Sequence, residues 1–106
     1  MKTQILDVKE LKKFNAEKHH KETIWSDEHS IINLICMKPG QEIITHTHHG
    51  NHIWMVMEGT GEMLSGKQSQ KISAGQIVIV PTFESHGIRN GSQEDLVIAS
   101  FAAKGD

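Results

Sequence analysis

The chain has a single cysteine, two prolines and no tyrosine among its 106 residues, and only 5% of it is aromatic. One thiol, Cys36, cannot close an internal disulfide, which fits a reducing cytoplasm. Charge of one sign is missing too: 11 Lys+Arg stand against 13 Asp+Glu, for a net −2 with histidine neutral. That balance offers no electrostatic footprint for nucleic acid. No apolar run approaches the roughly 18 residues of a membrane span. Residues 1–20 are rich in charge and lack the apolar core of a secretion signal. The expectation is a cytoplasmic protein with neither a membrane nor a nucleic-acid partner. Its 37% hydrophobic and 23% charged residues suit a globular chain. Its length suits one domain over 1–106.

What the sequence has in excess is histidine, eight in all. His19 and His20 stand in the polar stretch 16–22, and His29 beside Asp27 and Glu28, so all three read as solvated surface. Four others crowd together as His46, His48, His49 and His52, and the last is His86.

The local patterns predict an all-β chain with one short N-terminal helix. Asp7-Val8-Lys9-Glu10 has the form of a capping box and predicts a helix from Val8 to about Lys13. Strands are then expected over 23–25, 31–37, 42–45, 53–57, 62–64, 68–72, 76–80, 87–90 and 95–101. Pro39-Gly40, Gly59-Thr60-Gly61, Ser65-Gly66, Ala74-Gly75 and Asn90-Gly91 supply the turns between them. Short strands at this spacing make a sandwich or barrel. Gly59-Thr60-Gly61 lacks a third glycine and a following helix, so it is a turn and not a dinucleotide loop.

Gly50 and Asn51 argue against a helix carrying His48 and His52. On an extended strand His46 and His48 share a face. His52 opens the next strand after the Gly-Asn turn, and its face continues through Trp54 and Val56. Three imidazoles can thus converge from two strands, and His86 can approach from a third. Imidazole suits Zn, Cu, Fe and Ni, with Mn also open, and the alternative is histidines with no metal at all. Trp54, Val56 and Ile44 are the expected pocket-lining residues. Glu42, by parity with His46, and Glu84, two residues before His86, are candidate general bases, with a solvated carboxylate the plainer alternative for each. Cys36 reads as a small core residue. His49 is expected to face away from His48.

These spacings resemble the two motifs of the cupin superfamily. Gly40, five residues, His46-Thr47-His48, three residues, His52, six residues and Gly59 match the first. Gly75, five residues, Pro81-Thr82-Phe83, two residues, His86, three residues and Asn90 match the second. The resemblance covers 40–90 and implies a small jelly-roll barrel, or double-stranded β-helix, with a metal inside its mouth. It assigns His46, His48 and His86 as ligands of one divalent transition metal. His52 takes the place where the family usually carries Glu, which gives a four-histidine site. Phe83 stands where glycine is usual.

Four neutral ligands leave such an ion its full charge, favouring anionic oxygen donors. The implied function is a metal-dependent enzyme, a dioxygenase or isomerase, on a small anionic or chelating organic molecule. The alternative is a non-catalytic metal- or ligand-binding module. A homodimer is expected as well. Segment 31–37 is apolar on both faces, so its outer face needs cover from a partner or from an N-terminal segment.

Overall fold

The computed structural model describes residues 2–47 and 50–104, with His46 described by its backbone alone. One helical turn, α1 (Val8–Leu11), precedes nine strands among the described residues. These are β1 (His20–Ser26), β2 (Ser30–Met37), β3 (Glu42–His46), β4 (His52–Glu58), β5 (Thr60–Ser65), β6 (Gln68–Ser73), β7 (Ile77–Val80), β8 (His86–Arg89) and β9 (Leu96–Ala103). Two sheets form, in the orders β1-β2-β9-β4-β7 and β3-β8-β5-β6, and every neighbouring pair in them is antiparallel. From β2 to β5 and again from β6 to β9 the chain alternates between the sheets, while β1-β2 and β5-β6 are hairpins within one sheet, as in a jelly roll. Among the described residues no helix is long and apolar enough to cross a membrane.

The space between the sheets is filled by side chains of one strand parity. Ile35, Met37, Trp54, Val56, Ile72, Val80, Ile88, Leu96 and Ile98 form one buried cluster. The opposite parity of β2 and β9 makes a second cluster outside the five-stranded sheet: Leu34, Cys36, Val97 and Ala99. Val8, Leu11 and Phe14 of the N-terminal segment pack over it. The outer face of β2 is therefore covered by the chain's own N-terminus. Lys12 Nζ reaches Glu58 at 2.9 Å, and the Lys38 ammonium lies 4.9 Å from the centre of the Phe14 ring, which fixes the segment in place. These attachments explain why α1 stops short of the expected Lys13. Lys12 is already extended (φ −66°, ψ 136°), so the chain can run on across the sheet.

β1 is longer than the expected 23–25. Its polar start, His20-Lys21-Glu22, has little strand propensity but pairs with Cys36, Ile35 and Leu34 of β2. The ladder decides here, and propensity does not. Asn90, at the end of the second motif, is fully buried and acts as a structural staple. Its amide donates to the carbonyls of Met37 (3.0 Å) and Glu94 (2.8 Å), and its oxygen accepts from the Ser92 amide and hydroxyl.

Candidate metal and ligand site

His52 and His86 reach the same point from different sheets. His52 opens β4, opposite Val80 of β7 and Ala102 of β9. His86 opens β8, with its backbone paired to that of His46 in β3. Their rings are buried, 7% and 2% exposed, with centroids 5.5 Å apart and planes inclined at 59°. Trp54, two residues beyond His52 on the same face, meets the His86 ring edge-on at 5.1 Å. Nδ1 of His86 lies 3.0 Å from the Glu84 carbonyl oxygen. A carbonyl can only accept, so Nδ1 carries a proton, and in the neutral ring the lone pair is on Nε2. Asn51 Oδ1 accepts from the Thr82 amide (2.8 Å) and hydroxyl (2.9 Å), which ties the loop before His52 to the loop before His86.

These groups open onto a cavity of about 230 Å³. It is walled by His52, Trp54, His86 and Ser100, by the apolar Ile35, Ile43 and Ile88, and by two residues of the N-terminal strand region, His19 and Lys21. His19 corrects the surface reading. It has the inward parity of Lys21, whose backbone faces Ile35, and its ring is hydrogen-bonded to the Glu42 backbone across the gap between the sheets. Burial pushes the His19 imidazole below its ordinary pKa. The Glu42 hydrogen bond opposes that shift, and Lys18 and Lys21 add to it. His20, on the other parity, is half-buried, while His29 is exposed as expected.

Other expected residues also fall elsewhere. Ile44 is 79% exposed, and Ile43 lines the cavity in its place. The ladder between β3 and β8 slips between Ile43 and His46, so simple alternation counted back from His46 fails. Glu42 is exposed and lies 4.0 Å from Arg89, outside the cavity. The Glu84 carboxylate is likewise exposed and accepts from the Ser65 hydroxyl at 3.2 Å. Val56 is buried in the core and does not line the cavity. Phe83 is 68% exposed, so it does not narrow the pocket. Its φ of 64° is the left-handed conformation that glycine adopts freely at that motif position. His48 and His49 lie outside the described residues, as does the His46 side chain. Among the described residues no three His, Cys, Asp or Glu groups form a metal-sized cluster. The sequence reading missed His19, Lys21, Ile43 and Ser100. The alternation His19–Lys21 and the lone polar Ser100 within an apolar strand were the available signals.

A family model described as Cupin domain matches residues 33–101. Mannose-1-phosphate guanylyltransferase RfbM of Salmonella typhimurium is 27% identical over 67 residues, which make up 61% of this chain and 14% of that protein. The chain therefore spans about one seventh of that curated relative. The crystal structure of TT1209 from Thermus thermophilus superposes with a TM-score of 0.88 at 26% identity, over 95% of this chain and 97% of that one. A Klebsiella pneumoniae protein with a double-stranded β-helix domain gives 0.90 at 24% identity, over 99% and 93%. The polyketide cyclase RemF from Streptomyces resistomycificus gives 0.82 at 13% identity, over 96% and 80%, a likeness of fold alone.

Proposed function

The chain belongs to the cupin family, and from that premise we propose that it is a metal-dependent enzyme acting on a small anionic or chelating organic molecule. His46, His48, His52 and His86 are the proposed ligands of one divalent transition metal. The observation that carries this is the meeting of His52 and His86, from two motifs and two sheets, at the wall of one cavity.

The donors present fit such an ion. Two imidazoles bound through nitrogen at about 2.0–2.1 Å place their ring centroids roughly 4.5–6 Å apart. The observed 5.5 Å falls in that range. The Glu84 carbonyl fixes the His86 tautomer, as an outer hydrogen-bond partner does for a ligating histidine. A bound ion would supply Lewis acidity or redox chemistry to a coordinated oxygen donor. The chain's own residues orient the ligand. Trp54 and the three isoleucines exclude water around it, and the Ser100 hydroxyl, opposite Trp54 in the ladder, offers a hydrogen bond. The cavity holds roughly eight waters' worth of space at ~30 Å³ each, enough for a small metabolite.

One observation favours the non-catalytic reading. The described lining has no carboxylate, since both candidate general bases point elsewhere. Elemental analysis of the purified protein and its variants tests the metal centre. His86→Ala and His52→Ala are expected to lose most of the bound metal, and His20→Ala to keep it. Equal loss in all three, or in none, overturns the assignment. Metal-loaded protein is then assayed against diketones, uronates and 2-oxo acids. Turnover supports the enzyme, whereas saturable binding without turnover across the panel favours a binding module.

A further inference from the structure

The N-terminal strand places charge where the histidine motifs place none. His19 and Lys21, two residues apart with inward parity, bring an imidazole and a lysine side chain to the wall of the same cavity as His52 and His86. Among the described lining residues Lys21 is the one side chain with a fixed charge, and nothing there opposes it. Glu42 and Glu62 are drawn outward to Arg89, and Glu22, on the opposite parity of β1, lies near Lys13 and His20. Lys21 is exposed as a residue, so it keeps contact with water while it borders the cavity. His19, through its hydrogen bond to the Glu42 backbone, holds the start of β1 against β3 and sets where Lys21 stands.

We propose that Lys21 is a carboxylate-recognition residue. The ligand of this cavity is then a small organic acid whose carboxylate meets the β1 wall while its other end faces His52 and His86. The inference rests on the small-anion reading above but not on the identity of any ion. The walls explain the selectivity. Ile35, Ile43, Ile88 and Trp54 strip water from an entering ligand, so a carboxylate enters at a cost unless a cation receives it. Lys21 makes that cost smaller for an acid than for its neutral ester.

Isothermal titration of the whole protein with 2-oxobutanoate and with its methyl ester tests this, on wild type, Lys21→Met and Lys21→Arg. Lys21→Met keeps the length of the side chain and removes its charge. It is expected to weaken binding of the acid about tenfold, the size of one charge-assisted hydrogen bond, and to leave the ester within about twofold. Lys21→Arg should restore most of the preference for the acid. Equal weakening of acid and ester would show a merely structural role, and an unchanged acid affinity would show no role; either overturns the proposal. A wild type that binds neither probe overturns it as well. Metal content measured on the same samples separates the two readings. Protein that holds no metal yet shows the Lys21-dependent preference loses the metal centre and keeps the carboxylate subsite.

Discussion

Asp27 shows how a single half-buried residue shapes this fold. Its carboxylate accepts the backbone amides of His29 (2.9 Å) and Ser30 (2.8 Å), closing the turn between β1 and β2. Those two hydrogen bonds, ahead of the charges of His29 and Lys104, hold its pKa below the ordinary carboxylate value. The sign follows from the linkage relation. A carboxyl whose folded pKa is depressed stabilises the fold fully above its unfolded pKa, about 4, and loses that contribution as pH falls through the lower folded value. Asp27→Ala is therefore expected to lower the urea midpoint at pH 7. The gap from wild type should shrink as pH drops below about 4. A gap that stays constant down to pH 2 would show that charge has no part in it. Phe83 is the other instructive residue, a bulky side chain in a left-handed backbone conformation. The turn shape persists with phenylalanine in the glycine position, because the flanking strands β7 and β8 and the Asn51–Thr82 bonds hold it.

Among the elements, β3 stands at a sheet edge, and its one ladder, with β8, carries a register shift. Gly87 in β8 lets it come close: a Cβ there would meet the Ile43 carbonyl oxygen at 2.5 Å and the Thr45 backbone nitrogen at 2.9 Å. Backbone cannot swing aside as a flexible side chain can, so Gly87→Ala must push β3 away from β8. A destabilisation of about 1–3 kcal/mol is expected from urea unfolding. Because His86 is the next residue and His46 its backbone partner, bound metal should fall as well. A stability within about 0.5 kcal/mol of wild type would show that β3 relaxes at no cost. The elements read best from sequence were β2, β3, β6 and β7, each within one residue of its observed bounds because turn residues mark its ends. The glycine- and proline-marked turns were legible for the same local reason. Ile44 was placed on the wrong face because the slip in β3 leaves no trace in an alternation pattern, whereas Glu42 is the solvated carboxylate of its plainer reading.

For the molecule as a whole, the five-stranded sheet keeps an apolar stripe beyond the reach of its N-terminal cover. Phe101, Ile53 and Ile79 lie side by side in the ladder on its outer face. Phe101 is 37% exposed, Ile79 60% and Ile77, also on β7, 65%. The N-terminal segment thus answers part of the need for cover that β2 implied, and we propose that a second copy answers the rest through β4 and β7. Sedimentation at micromolar concentration should then show a dimer, and Ile79→Lys should shift it to monomer without unfolding it. A wild-type monomer under those conditions would remove the proposal.

The sequence by itself determined the strand-rich architecture, the order of its turns and the two motifs that bring His52 and His86 together. All of these depend on short-range periodicity and fixed spacing, which a linear chain carries in full. The tertiary structure alone decided which residues complete the cavity. His19 and Lys21 enter through the pairing of β1 with β2, Ile43 displaces Ile44 through a slip in the β3 ladder, and Val8, Leu11 and Phe14 close over Cys36. Each of these depends on register between strands distant in sequence. Register is set by how whole sheets pack and not by the local identity of the residues concerned.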